Sequence, residues 1–279
     1  MPTLYLVATP IGNLEDISQR ALRVLRAVAL IAAEDTRVTR QLLSHYAIPT
    51  PLSTYTDAYD RQKTSRQGRV LDELAAGRDV ALVSDAGTPG LSDPGYELVQ
   101  AVMAAGHAVQ AIPGPSAVTS ALAASGLPAD RFLFVGFLPR KAGERRSFWA
   151  ELAEEPGAVV AFEAPHRLVD ALADVQAVLG DRQIAVAREL TKRYEQIWRG
   201  SVSGALAHFT ANPPRGEITL VIAGAGRRRD DQRWPEAQVR VAIELLAAEG
   251  VAPSGIARIV SRLAGWLRAE VYDLVARQA

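Results

Sequence analysis

Val80-Ala-Leu-Val-Ser-Asp-Ala-Gly-Thr-Pro-Gly-Leu-Ser-Asp-Pro-Gly95 decides the fold of this 279-residue chain. Its first four residues are an apolar run that reads as a buried strand. The twelve that follow hold three glycines, two prolines and two aspartates. Tyr96-Glu-Leu-Val-Gln-Ala-Val102 then begins a helical pattern. A Gly/Pro loop at the carboxyl end of a strand is where an open α/β sheet places its ligand. Glycine lets backbone approach that ligand, and proline fixes the turn.

Two more strand-like runs end the same way. Leu4-Tyr-Leu-Val-Ala8 enters Thr9-Pro-Ile-Gly-Asn-Leu14, and Ala108-Val-Gln-Ala-Ile112 enters Pro113-Gly-Pro-Ser-Ala117. One such loop is an ordinary turn; three within 117 residues point to one pocket wall. Between them Ser18 has the chemistry of a helix N-cap, with a helix expected to about Ala27. Ala29-Leu-Ile-Ala-Ala33 reads as a strand, and residues 38–46 and 62–76 read as helices, the second charged and mostly exposed. This βαβα alternation argues a parallel sheet. Arg131-Phe-Leu-Phe-Val-Gly-Phe137 opens a second unit, followed by strand-like runs at 158–162, 183–187, 195–200 and 218–222. The reading is therefore two α/β domains, 1–117 and 118–225. A polar linker at 224–233 follows, then a helical, helix-turn-helix-like tail at 235–279.

Composition narrows the chemistry. Hydrophobic residues make up 48 % of the chain, enough for sizeable cores, and the formal net charge is zero, unlike a generally basic nucleic-acid binder. A local basic face remains compatible with that balance. Three lysines, Lys63, Lys141 and Lys192, leave nearly all positive charge to arginine. With no cysteine and four scattered histidines, disulfides, thiolate catalysis and Cys-based metal sites are excluded and a zinc centre is not expected. The Gly-x-Gly-x-x-Gly, Gly-Lys-Ser/Thr, His-Glu-x-x-His and Gly-x-Ser-x-Gly patterns are all missing, against a dinucleotide oxidoreductase, an NTPase, a zinc protease or an α/β hydrolase. Met1-Pro2-Thr3 has no basic leader and no apolar run spans a bilayer, so a soluble cytoplasmic protein without a membrane partner is expected.

Eight short motifs occur in order: Thr9-Pro-Ile-Gly-Asn-Leu14, Ala33-Glu-Asp-Thr-Arg37, Val83-Ser-Asp-Ala-Gly-Thr-Pro89, Ser92-Asp-Pro-Gly95, Pro113-Gly-Pro-Ser116, Gly136-Phe-Leu-Pro139, Pro165-His-Arg167 and Ala187-Arg-Glu-Leu-Thr-Lys192. In these the chain resembles the ribosomal RNA small subunit methyltransferase I family, within the tetrapyrrole-methylase-like superfamily of S-adenosylmethionine (SAM) enzymes. The resemblance implies a SAM cleft between two α/β domains, a homodimer, and 2'-O-methylation of a cytidine in the decoding region of 16S rRNA, with the small ribosomal subunit as partner. A tetrapyrrole-pathway small-molecule methylase and a non-catalytic ribosome-assembly factor are the alternatives. By motif, SAM is expected against Pro10, Ser84, Asp85, Ala86, Gly87, Gly90, Ser116 and Ala117. Asp85 has an equal alternative in bonding amides of its own loop, and Ser116 in capping the next helix.

Methyl transfer to a hydroxyl is an in-line displacement helped by a proton acceptor. Glu34, Asp35, Glu163 and Glu189 stand near strand ends. The Glu34-Asp35-Thr36-Arg37 segment ranks first, with Glu34, Asp35 and Arg37 as the catalytic candidates; ion pairing with neighbouring arginines is the alternative. His166 and Arg167, at an expected helix N-terminus, together with Arg188, Lys192, Arg140 and Lys141, are the expected RNA contacts. Residues 139–146 read as a basic loop. Arg227-Arg-Arg229 and the tail's Arg258, Arg262, Arg268 and Arg277 add further positive charge.

Overall fold

In the computed structural model the described residues are 1–56, 63–225 and 234–278. The chain divides into two compact units, Met1–Gly224 and Ala225–Ala279. Among the described residues the first unit holds two five-stranded sheets.

The first sheet is built from β1 (Thr3–Val7), α1 (Gln19–Ala27), β2 (Leu30–Ala33), α2 (Thr36–His45), β3 (Leu52–Thr54), α3 (Lys63–Ala75), β4 (Val80–Val83), α4 (Tyr96–Ala104) and β5 (Ala108–Ile112). Its order is β3-β2-β4-β1-β5, parallel throughout. β2 and β4 are buried along their whole length, as strands covered on both faces must be. Ser18 caps α1, its hydroxyl accepting the Ala21 amide at 3.1 Å. The short edge strand β3 carries no apolar run, which is why the sequence pattern passes over it. In α3, Val70 and Leu74 are buried beneath a charged outer face.

The faces decide where the site lies. Leu25 of α1 and Leu43 of α2 pack with Val7, Ile31 and Val83 on one side of the sheet. Leu74 of α3 and Leu98 of α4 pack with Leu4, Val80 and Leu82 on the other. The neighbouring strands β1 and β4 thus send their chains to opposite faces. A crevice opens where that happens, beyond the carboxyl ends of the two strands.

The second sheet comprises α5 (Ala117–Ser125), β6 (Phe132–Phe137), α6 (Ala142–Glu151), β7 (Ala158–Glu163), α7 (Leu168–Leu179), β8 (Gln183–Arg188), β9 (Gln196–Ser201), α8 (Val202–Ala211) and β10 (Ile218–Ile222) with their connections. Its order is β6-β7-β10-β8-β9; only the β6–β7 pair is parallel. Trp149, Leu172 and Phe209 from α6, α7 and α8 cover one face. Val118, Ala121 and Leu122 of α5 cover the other, joined by Ile11 from the loop after β1. That one apolar side chain ties the first sheet's loop into the second sheet's core.

The expected basic loop at 139–146 is not what forms. α6 begins at Ala142, and Arg145 is buried, 4 % exposed, with Nη2 2.6 Å from Asp174 Oδ2. Its Nε donates to the same carboxylate at 2.7 Å, and Nη1 donates to the Pro139 and Arg140 carbonyls at 3.3 Å. The buried carboxylate of α7 takes this arginine inward, and Asp174 Oδ1 also holds Arg146 at 3.3 Å. Arg140 and Lys141 stay exposed, Lys141 2.9 Å from Glu144.

The second unit is three helices, α9 (Glu236–Ala248), α10 (Pro253–Ala264) and α11 (Arg268–Gln278), around Val239, Ile243, Val260 and Val271. Trp266 Nε1 donates to the Trp234 carbonyl at 2.9 Å, tying the α10–α11 turn to the start of the unit. Arg227, Arg228 and Arg229 lie outside the described residues.

The buried pair yields a stability prediction. Arg145→Met leaves Asp174 without its buried partner and should cost about 3–5 kcal/mol, read from urea unfolding. Arg145→Met with Asp174→Leu should recover most of that loss, because no charge is then stranded. A loss below about 1 kcal/mol in the single variant would refute the assignment.

Candidate cofactor cleft

Thr9 and Gly87 meet at the crevice between β1 and β4. The Thr9 amide donates to the Gly87 carbonyl at 2.8 Å, and the Gly87 amide donates to Thr9 at 3.0 Å. The Thr9 hydroxyl adds a bond to the Ser84 carbonyl at 3.2 Å. Gly87 has φ +81°, a left-handed conformation costing an L-residue roughly 1–2 kcal/mol. The three Pro/Gly loops read from the sequence all reach this region.

Two cavities flank the bridge. The larger, about 290 Å³, lies between the loop after β4, the start of α5, the end of β7 and the start of β10. Ala86, Gly87, Ser116 and Ala117 line it, four of the eight residues expected to hold SAM. The smaller, about 160 Å³, lies between the loop after β1, α2 and the first residues after β4, and Pro10, Ser84 and Asp85 line it. Gly90 lines neither. Ser116 sits at the N-cap of α5 but makes no capping bond with its side chain, so the simple capping role is not taken up. Asp85 bonds an amide of another loop rather than its own: its Oδ1 accepts the Asp35 N–H at 2.9 Å.

Glu163 is the residue the motif reading undervalued. It ends β7, lines the larger cavity and is 2 % exposed. Its Oε1 accepts the Ala164 amide at 2.7 Å. Oε2 lies 3.2 Å from Arg167 Nη2 but has no hydrogen bond among the described residues. The reason is countable: Nη2 has two hydrogens, and it donates to the Leu138 and Pro139 carbonyls, both at 2.8 Å. Burial therefore pushes the Glu163 carboxyl up, against the Ala164 bond and the Arg167 charge. Phe137, Phe162 and Thr219 also line this cavity without having been singled out. Phe137 lay inside a quoted motif; Thr219 had no signal beyond being in a strand.

The other acidic candidates differ sharply. Asp35 caps α2, accepting the Arg37 amide at 2.8 Å, and its carboxylate grips the Arg37 guanidinium at 2.6 Å. Those Arg37 bonds push Asp35 down to about 2, a poor proton acceptor. Glu34 is half-buried, and burial raises it, reinforced by Asp93, Asp85 and Asp35; the Asp85 amide, 3.4 Å from Oε2, opposes. Glu189 is pushed down, first by the Glu217 amide.

The expected RNA cations are also sorted. His166 is exposed in a short turn, Pro165–Arg167, beside the larger cavity. Arg167 gives both Nη2 hydrogens to carbonyls as above, while its buried Nε has no hydrogen bond among the described residues. Arg188 donates to Gln196, Arg215 and Tyr194. Lys192 bonds Glu189 at 2.9 Å and Glu217 at 3.0 Å. Gly12 explains this last cluster: a Cβ there would meet Lys192 Cγ within contact distance, so the loop after β1 packs directly on the 189–195 turn.

The orphaned Glu163 has a pH signature. Its carboxyl, raised above the ordinary 4.5, binds a proton more tightly folded than unfolded. The stability it lends below 4.5 is lost as pH rises through the raised value. Glu163→Gln removes this titration. Urea unfolding should show the wild type losing stability relative to the variant as pH rises above 4.5. Parallel pH profiles would refute a strained carboxylate.

Comparison with known proteins agrees with this geometry. Residues 3–205 match the family described as Tetrapyrrole (Corrin/Porphyrin) Methylases. The chain is 47 % identical over 275 residues to a ribosomal RNA small subunit methyltransferase I of Synechocystis, covering 98 % of this chain and 97 % of that one. It is 48 % identical to the protein of that name from Thermotoga maritima, over 80 % of this chain and 99 % of the relative. A solved cobalt precorrin-4 methyltransferase shares the fold at TM-score 0.59 and 18 % identity, over 79 % of this chain and 94 % of that one. On the family match and these near-full-length identities, the chain belongs to the tetrapyrrole (corrin/porphyrin) methylase family, among its ribosomal RNA small subunit methyltransferase I members.

Proposed function

We propose that this SAM-dependent methyltransferase modifies the 2'-hydroxyl of a cytidine ribose in the decoding region of 16S rRNA. Its substrate would be the small ribosomal subunit, and it would act as a homodimer in the cytoplasm. The observation that carries the substrate class is the near-full-length identity to relatives named for small-subunit rRNA methylation. The likeness to solved porphyrin and corrin enzymes is of fold alone, at 21 % identity or less in those compared. Among the described residues no helix is long and apolar enough to cross a membrane.

The larger cavity fits SAM. Bound there, SAM supplies an electrophilic methyl on a positively charged sulfur. Glu163 puts a carboxylate in the cavity wall, on the side where a positively charged sulfur would lie, with Arg167 as its nearest counter-charge at 3.2 Å. Ala86, Gly87, Ser116 and Ala117 supply backbone and small side chains that let a ligand come close. Beside Asp85, whose amide lies 3.4 Å from its Oε2, Glu34 is the residue suited to take the hydroxyl proton, since burial holds its carboxyl above the ordinary value. Asp35 and Arg37 hold the start of α2 in place beside it.

Two experiments test the reading. With labelled methyl donor and purified unmethylated small subunits, one cytidine should become resistant to alkaline cleavage, since methylation removes the internal 2'-oxygen nucleophile. Label on a base, or on a porphyrinoid only, would overturn it. The second concerns the tail, whose apolar core is its own. Deleting 235–279 should leave SAM affinity within about twofold and flatten the salt dependence of RNA binding by about 0.7–0.9 per lost phosphate contact. An unchanged slope would remove the tail from RNA binding.

A further inference from the structure

Resting on that functional reading, we propose that the smaller cavity receives the unstacked target base, and that it selects a pyrimidine carrying an exocyclic amino group. Enzymes that do chemistry on a base take it out of the stack and read its edge in a pocket; a ribose methyltransferase that held its target base in the same way would fix one 2'-hydroxyl in line with the methyl group.

Position is the first argument. Ser84 and Asp85 line the smaller cavity, and the next two residues, Ala86 and Gly87, line the larger one. The Thr9–Gly87 backbone bridge stands between them. A nucleotide with its base in the first and its ribose at the bridge would bring its hydroxyl toward the donor side. At about 160 Å³ the space is far beyond the roughly 10–15 Å³ that one water needs.

Lining is the second. Pro10, Leu14, Val38 and Leu42 give apolar walls. Asp85 and Gln41 bring polar groups to the same cavity. Asp85 Oδ1 is used by the Asp35 amide, and Oδ2 has no hydrogen bond among the described residues. That oxygen accepts only, which matches an amino group and opposes a carbonyl at the same ring position. The Gln41 amide, exposed and likewise without a hydrogen bond among the described residues, offers a donor to the neighbouring ring acceptors. Apolar walls with few convergent polar groups are the usual make-up of a small-ligand pocket. Arg40, exposed on α2, puts positive charge beside the cavity, where a flanking phosphate would lie; Arg37 is held by Asp35.

The experiment uses the full-length protein and small subunits carrying either cytidine or uridine at the modified position. Wild-type transfer to the cytidine subunits tests the functional reading; its absence overturns that reading and this proposal together. With transfer present, Val38→Trp, at a position already 42 % exposed, tests the pocket. It should lower kcat/KM for the subunit at least ~10-fold while calorimetric SAM affinity is kept. Asp85→Asn tests the edge. Asparagine keeps the oxygen that accepts the Asp35 amide and replaces the free acceptor by a donor. The cytidine-to-uridine rate ratio should fall at least ~10-fold, the scale of one good base-edge contact. An unchanged ratio in Asp85→Asn, or full activity in Val38→Trp, would overturn the assignment.

Discussion

The adjacency of β1 and β4 is the constraint on which the rest of this molecule depends. Two parallel neighbours that send their chains to opposite faces cannot close over their own ends, so a gap is built into the topology. The Thr9–Gly87 bridge then keeps the two departing loops from separating. It requires backbone at φ +81°, which glycine adopts without steric cost. Ile11, two residues past Thr9, is carried into the core beneath α5. The same loop therefore lines the crevice and fastens the two sheets together.

Glu163 shows how such a scaffold can leave a buried carboxylate oxygen without a directed bond. The carboxylate is fully enclosed, yet its nearest cation has given both of its near hydrogens to carbonyl oxygens. Charge is close by, but Oε2 lacks a directed bond. In a low-dielectric wall that is an unfavourable state for a carboxylate, and burial raises the Glu163 carboxyl accordingly. The motif around Glu163 was readable, but its proton counting was not. That depends on where the Leu138 and Pro139 carbonyls fall in space.

Local signals explain what was legible. Short, mostly apolar runs ending in Gly/Pro loops mark β1, β4 and β5, and β4, buried along its whole length, shows the continuous apolar run that burial on both faces demands. Ser18 caps where its chemistry says. Long-range partners explain the rest. Nothing near Arg145 in sequence announces Asp174, 29 residues away. β3 is too short and too exposed to leave a pattern. Ser84 to Gly87 look like one ligand loop in sequence, yet the bridge divides them between two cavities.

The same distinction governs how positive charge is counted. Arg167 and Arg188 are bound to carbonyl oxygens, and Lys192 sits between two carboxylates. To hold a phosphate, each would first have to release some of these partners. Arg140 is exposed, as are Arg258, Arg268 and Arg277 in the helical unit, whereas Lys141 is held by Glu144 at 2.9 Å. An exposed arginine offers its charge at little structural cost. Formal neutrality of the whole chain is thus a poor guide to its electrostatic surface, because it counts the spent and the free cations alike.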